Sequence, residues 1–92
     1  MAQMNGAELT IRLLERQGIT ILAGIPGGAN LPLYDALGKS RIIRHVLARH
    51  EQGAGFIAQG QARSTGKPAV FFATSGPGAT NTLTAIADAK LD

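Results

Sequence analysis

The sequence predicts an α/β fold, in which a partial parallel sheet is covered by flanking helices. Two observations support this fold class. Three short apolar runs, at residues 19–23, 42–47 and 68–73, alternate with longer segments of helical character. Gly-rich loops follow the first and third of these runs, and a glutamate, Glu51, follows the second. Alternation of this kind predicts parallel strands joined by right-handed crossovers, and ligands bind at the carboxyl ends of such strands.

The first helix is predicted at residues 6–17, with Asn5 as its N-cap and Gly18 as its C-terminal stop. Its polar side chains lie on one arc at 100° per residue, as expected for a helix that packs on a sheet. They are Glu8, Arg12, Glu15 and Arg16. The run at residues 19–23 is β-branched and of strand length.

A short helix is predicted at residues 31–37, because Pro32 suits a first helical turn and Gly38 ends the pattern. The strand at residues 42–47 then leads into a helix at residues 51–64, which Gly66 ends. Small residues along this helix predict close approach of another element, since Gly in a helix otherwise costs up to about 1 kcal/mol. They are Gly53, Ala54, Gly55, Ala58, Gly60 and Ala62.

The run at residues 68–73 is almost continuously apolar, which is typical of a strand covered on both faces. A last helix is predicted at residues 79–90. Three strands make a small sheet, and the chain stops where a fourth strand would be expected. We therefore expect the opening part of a larger domain, with an exposed sheet edge and an apolar face that make the isolated chain prone to aggregate.

Composition restricts the classes of function. The 92 residues are 45% hydrophobic and only 16% charged, with a net charge of +3 and no cysteine, so disulfides and thiolate metal sites are excluded. The basic residues show no helical stripe, which favours a solvated surface over a nucleic-acid site. Charges in the first helix interrupt any secretory or membrane-spanning pattern, and we expect a cytoplasmic protein with no membrane or nucleic-acid partner.

Three segments carry the candidate chemistry: residues 24–29 (GIPGGA), 49–55 (RHEQGAG) and 74–81 (TSGPGATN). Neither glycine loop matches a P-loop or a complete dinucleotide fingerprint. The first and third segments contain no Lys or Arg to meet a diphosphate. They suit an apolar or aromatic ring approached through backbone contact, although ordinary turn chemistry explains either loop taken alone equally well.

Glu51 is the candidate catalytic group. A carboxylate in the first turn of a helix is stabilised by the helix dipole, and a solvated carboxylate with no further role is the alternative. His45 and His50 do not form the paired-histidine pattern of zinc proteases, so core or surface roles are expected for them. Ser75 lacks the setting of a nucleophile elbow.

Together, the three segments resemble the catalytic large subunit of the acetolactate synthase (acetohydroxyacid synthase) family, which depends on thiamine diphosphate. The resemblance runs from Gly6 to Asp92 and includes the spacing between segments. It implies that Glu51 hydrogen-bonds N1′ of the cofactor's aminopyrimidine and controls its protonation. An apolar ring pocket should then raise the pKa of Glu51.

The resemblance also implies which residues contact the cofactor. They are Ile25, Pro26, Gly27, Gly28, Glu51, Pro77 and Asn81. Many family members have Tyr where Ile25 stands, so an aromatic contact is lost there. No metal ligand is expected within this chain.

The resemblance places residues 1–92 as an N-terminal fragment of the pyrimidine-binding domain. The implied reaction condenses pyruvate with a second 2-oxo acid, pyruvate or 2-oxobutyrate, and releases CO₂ in branched-chain amino-acid biosynthesis. Mg²⁺ and FAD would be bound mainly by parts of the protein outside this chain. A homo-oligomer of catalytic subunits with a small regulatory subunit is implied, and the 92-residue chain alone is expected to be inactive.

Three other hypotheses remain at this stage. A sister thiamine-diphosphate carboligase or decarboxylase would share the same segments. A natural short protein would act as a non-catalytic assembly module. A nucleotide-binding domain would bind NAD or ATP saturably.

Overall fold

The computed structural model describes residues 3–91, which form a three-stranded sheet with helices between the strands. The elements in chain order are α1 (Gly6–Arg16), β1 (Ile21–Gly24), α2 (Leu31–Gly38), β2 (Arg44–Leu47), α3 (Glu51–Thr65), β3 (Phe71–Phe72), α4 (Pro77–Thr80) and α5 (Leu83–Leu91). A 3₁₀ turn at Gly28–Asn30 precedes α2. The predicted α/β class is confirmed.

The strand order is β2-β1-β3, and β1 pairs in parallel with both neighbours. Ile21 of β1 is opposite Arg44 of β2, and Gly24 is opposite Phe72 of β3. The chain moves from β1 to β2 on one side and then crosses β1 to reach β3. The strand order therefore reverses between β1 and β3, and such a switch point is where open α/β sheets bind ligands.

Local signals set the helix ends as predicted. The Asn5 side-chain oxygen accepts a hydrogen bond from the Glu8 N–H at 2.8 Å, which caps α1. Gly18 and Gly66 have φ angles of +85° and +71°, which only glycine adopts readily, and they terminate α1 and α3.

The two faces of the sheet are packed differently. Large side chains from α1, α2 and the sheet form the main hydrophobic cluster, in which Leu22 is fully buried. On α3 and α5, which pack against each other, the buried residues are small: Ala54, Gly55 and Ala58 on α3 and Ala85 on α5. Small residues allow these two helices to approach closely, as the sequence predicted.

Only one of the three glycines in the first ten residues of α3 is required by this packing. A Cβ added at Gly55 would lie 2.6 Å from the Ala85 Cβ, whereas one added at Gly53 or Gly60 meets no atom of residues 3–91 within 4 Å. We expect Gly55→Ala to lower the free energy of unfolding by about 1–3 kcal/mol through overpacking. Gly60→Ala should raise it by about 0.5–1 kcal/mol through helix propensity.

Denaturant midpoints of the two variants, measured on the complete protein that contains this chain, test this difference. Gly60→Ala is the matched control, because it makes the same change from Gly to Ala in the same helix as Gly55→Ala. Equal midpoints for the two variants would show that the contact between Gly55 and Ala85 does not limit the packing of α3 on α5.

The third strand is shorter than predicted. The apolar run at residues 68–73 forms only Phe71–Phe72, because β3 pairs with β1 alone and only through Ala23 and Gly24. Pro68 also lacks the N–H that a longer ladder would need.

The last helix was predicted as one unit and is two. A break at residues 81–82 separates α4 from α5. The buried Thr82 hydroxyl donates to the Ala79 carbonyl at 2.6 Å, and the Thr82 carbonyl accepts from the Ile86 N–H at 3.0 Å. Thr82 thus competes for backbone groups at the end of α4 and starts α5.

Several large apolar side chains are exposed among the described residues. Leu47, Leu83 and Leu91 are 66%, 63% and 86% exposed. Within residues 3–91, each helix is too short or too polar to cross a membrane.

Candidate functional site

The candidate site lies at the carboxyl edge of the sheet, around the switch point between β1 and β3. Residues 24–29 follow β1, Glu51 follows β2 after three residues, and residues 74–81 follow β3. The three segments that the sequence singled out therefore meet at one edge.

Asn30 holds the first glycine loop in shape. This side chain is only 4% exposed. Its oxygen accepts from the Gly27 N–H at 2.7 Å, and its amide donates to the Ile25 carbonyl at 3.2 Å. Asn30 was not among the candidate residues, and its side chain makes no capping hydrogen bond to α2.

The opening of α3 is set by His50. Its Nδ1 accepts from the Gln52 N–H at 3.0 Å, so His50 is the N-cap and Glu51 is the first helical residue. His45 Nε2 instead lies 2.9 Å from the Tyr34 hydroxyl. Both histidines therefore have roles in local structure. Residues 3–91 hold no cluster of three or more His, Cys, Asp or Glu side chains that could bind a metal.

Glu51 and Asn81 form the central pair of the site. The Asn81 side-chain amide donates to Glu51 Oε1 at 3.1 Å, although the residues are 30 positions apart. This bond, together with the backbone N–H of Glu51 and the proximity of His50, lowers the pKa of Glu51 below its ordinary value. Hydrogen bonds to the carboxylate outweigh its desolvation in this chain. The raised pKa expected of a carboxylate that faces an apolar ring stays a prediction for the cofactor-bound protein.

The third glycine loop contacts both other segments through Thr74 and Gly78. A Cβ at Gly78 would lie 2.7 Å from Thr74 Cγ2 and 3.4 Å from Glu51 Oε2. A Cβ at Gly27 would lie 2.5–2.7 Å from three side-chain atoms of Thr74. Gly76 begins the loop's turn with φ of +65°. The sequence analysis missed Thr74, because nothing local distinguishes it from an ordinary turn residue.

The remaining predicted residues lie on the same loops at various exposures. Ile25 is partly exposed and donates its N–H to the Phe72 carbonyl at 3.4 Å. Pro26 and Pro77 are exposed, and Pro77 starts α4. A Cβ at Gly28 would meet no atom of residues 3–91 within 4 Å. Contacts in the structure thus join Glu51 to Asn81 directly and connect Gly27 to the third loop through Thr74. The other predicted residues are placed only by their position on these loops: Ile25, Pro26, Gly28 and Pro77.

Tyr34 and His45 support the floor of the site. Their rings meet edge to face at 4.9 Å, and Tyr34 packs likewise on Phe72 at 5.7 Å. Burial raises the pKa of Tyr34 to about 12 and lowers the pKa of His45. The pair is therefore uncharged near neutral pH, and its hydrogen bond joins α2 to β2.

The chemistry of this edge suits a flat ring with polar edge atoms. The Glu51 carboxylate is oriented by Asn81, and Gly28 leaves room for close approach to backbone. Pro26 and Pro77 add exposed apolar surface. An aminopyrimidine ring offers both an apolar face and hydrogen-bonding nitrogens, so the residues present fit the pyrimidine part of thiamine diphosphate.

A parallel sheet with such an edge is a ligand-binding α/β domain. Sequence comparison shows the family to which the chain belongs. The chain belongs to the family described as the N-terminal TPP binding domain of thiamine pyrophosphate enzymes, whose profile matches residues 4–92.

Its relatives include named acetolactate synthases. The chain is 68% identical over 90 residues to the acetolactate synthase isozyme 1 large subunit of Escherichia coli K12, covering 98% of this chain and 16% of that protein. It is 59% identical over 90 residues to acetolactate synthase of Mycobacterium avium, covering 98% and 14%. It is 58% identical over 90 residues to the large subunit of Corynebacterium glutamicum, again covering 98% and 14%. The resemblance noted from the sequence is confirmed, and the chain spans about a sixth of these relatives or less.

Proposed function

We propose that this chain is part of a thiamine-diphosphate-dependent acetolactate synthase. The enzyme would condense pyruvate with a second 2-oxo acid, pyruvate or 2-oxobutyrate, with loss of CO₂, in branched-chain amino-acid biosynthesis. The Glu51–Asn81 pair at 3.1 Å, placed at the switch point between two glycine loops, is the observation that carries this proposal. The names of the relatives support the choice of reaction.

Each residue of the site has a proposed role. Thiamine diphosphate, when bound, supplies the electron sink for decarboxylation. Glu51 would hold or exchange a proton with the pyrimidine ring, and Asn81 would keep the carboxylate oriented. Ile25, Pro26 and Pro77 would border the ring and exclude water. Gly27 and Gly28 would allow the first loop to approach it.

The names of the relatives support the proposed partners. The relatives named large subunits support a catalytic subunit that assembles with a small regulatory subunit and with further copies of itself. Mg²⁺ and FAD would be bound mainly by parts of the protein outside residues 1–92. The first and third segments contain no Lys or Arg to meet the diphosphate, and residues 3–91 hold no cluster of metal ligands.

An assay of the complete protein that contains this chain tests the proposal. With thiamine diphosphate, Mg²⁺ and FAD present, we expect acetolactate and CO₂ to form from pyruvate in equal amounts. Release of CO₂ with acetaldehyde in place of acetolactate would assign a sister decarboxylase. The 92-residue chain alone should form no acetolactate, and measurable product from it would contradict the expectation that the rest of the protein is required.

A further inference from the structure

We propose that Thr74 is a positioning residue that clamps the first and third glycine loops together and thereby holds the Glu51–Asn81 pair in place. The inference concerns the site of the proposed function and rests on it. Thr74 lies in the third sequence segment, but no role was assigned to it from the sequence. Its role follows from contacts with Gly27 and Ala29 of the first loop, which is distant in the chain, and with Gly78 of its own loop.

The first half of the clamp is the contact with the loop after β1. Thr74 Oγ1 accepts a hydrogen bond from the Ala29 N–H at 3.2 Å. Three Thr74 side-chain atoms, Cγ2, Cβ and Oγ1, lie 2.5–2.7 Å from the place where a Gly27 Cβ would stand. Real Cβ atoms do not approach so closely, so the loop sits on Thr74 only because residue 27 is glycine.

The second half is the contact with the loop after β3. Thr74 Cγ2 lies 2.7 Å from the position of a Gly78 Cβ, and Glu51 Oε2 lies 3.4 Å from that same position. Gly78 is thus held between the threonine methyl group and the candidate catalytic carboxylate. Asn81 follows Gly78 by three residues at the end of α4, and its amide reaches Glu51 Oε1.

The two branches of the Thr74 side chain have different roles. The hydroxyl group fixes the first loop through Ala29, and the methyl group sets how closely α4 approaches that loop. A shift of α4 moves Asn81 relative to Glu51. Misplacement of about 1 Å in a catalytic group can cost about 100-fold in rate, so a small change at Thr74 should be visible in turnover.

Substitutions of Thr74 in the complete protein separate the two branches. Thr74→Val keeps the branched shape and removes the acceptor, and we expect kcat for acetolactate formation to fall about tenfold at saturating cofactor. Thr74→Ser keeps the acceptor, and the loss should be smaller, about threefold. Thr20 is exposed at the opposite end of the sheet, beside the start of β1, and Thr20→Val should leave kcat unchanged within error.

A reciprocal pair gives a readout that a merely structural threonine would not produce. Gly78→Ala places a methyl group against Thr74 Cγ2 and should lower kcat strongly. Adding Thr74→Ser removes that methyl contact, so the double variant should regain about tenfold in kcat over Gly78→Ala alone. The dissociation constant of thiamine diphosphate and the unfolding midpoint are measured for every variant.

The outcomes are distinguishable. A folded, cofactor-saturated Thr74→Val with unchanged kcat would overturn the clamp, as would a double variant no better than Gly78→Ala. If Thr74→Val does not fold, the clamp is tested by the kcat of Gly78→Ala with and without Thr74→Ser. If the wild-type protein binds cofactor and forms no acetolactate, the proposed function fails and the clamp is tested separately. The test is then whether adding Thr74→Ser to Gly78→Ala restores the dissociation constant of the cofactor.

Discussion

Glu51→Gln is expected to lower kcat for acetolactate formation by about 10²–10⁴-fold, the usual contribution of a positioned proton-transfer group. Glutamine has the size of glutamate, and its side-chain oxygen can still accept from the Asn81 amide, so the 3.1 Å contact can persist. What the variant loses is a group that takes up and releases a proton. The main effect should therefore appear in turnover, measured at saturating cofactor.

Glu8→Gln is the matched control for this variant. Glu8 also stands in the first turn of a helix, α1, and has no assigned role in the site. Its substitution should leave both kcat and cofactor affinity unchanged. If Glu51→Gln bound the cofactor and kept full activity, Glu51 would be a solvated carboxylate at a helix N-terminus, and the family assignment would stand without it.

The depressed pKa of Glu51 depends on a contact that the sequence does not reveal. A carboxylate expected to face an apolar ring was predicted to have a raised pKa, but the Asn81 amide, 30 residues further along, stabilises the ionised form. Periodicity and motif spacing place both residues at the same edge of the sheet. They do not show whether the two side chains come within hydrogen-bonding distance, because that depends on side-chain geometry after folding.

The same division holds for the fold. Asn5, Gly18 and Gly66 act within their own helix ends, so their roles were predictable from the local sequence. The length of β3 depends on how far β1 extends beside it, and the break before α5 depends on the buried side chain of Thr82. The first is a tertiary effect that overrides local propensity, and the second is a local bond from a side chain to the backbone that the helical pattern did not reveal.

Gly24→Ala is expected to be the most destabilising single substitution in the described sheet. An added Cβ would lie 2.5 Å from the Tyr34 hydroxyl, 2.7 Å from the Phe72 carbonyl oxygen and 3.0 Å from the Phe72 Cβ. Gly24 is buried at the end of β1, opposite Phe72 in the parallel register. Relief of this crowding requires movement of backbone as well as of a side chain.

Tyr34 and the Phe72 carbonyl group both make hydrogen bonds that a displacement would disturb. Tyr34 is held by its hydrogen bond to His45 at 2.9 Å, and displacing it would leave both partly buried polar groups without each other. The Phe72 carbonyl accepts from the Ile25 N–H, and moving it would disturb the short pairing of β1 with β3. Overpacking of this kind costs about 3 kcal/mol of unfolding free energy.

Gly28→Ala, four residues further along the chain, is the control for this steric effect. It tests whether any added methyl group in this part of the chain lowers the free energy of unfolding. Its added Cβ meets no atom of residues 3–91 within 4 Å, and its φ angle is not in the left-handed region. In denaturant unfolding of the complete protein, the midpoint should fall for Gly24→Ala and stay at the wild-type value for Gly28→Ala. Because Gly28 is proposed to lie near the cofactor, its variant can still bind thiamine diphosphate more weakly. Equal midpoints for the two variants would mean that Tyr34 and Phe72 do not confine the end of β1, and the floor of the site would then have to be held by other contacts.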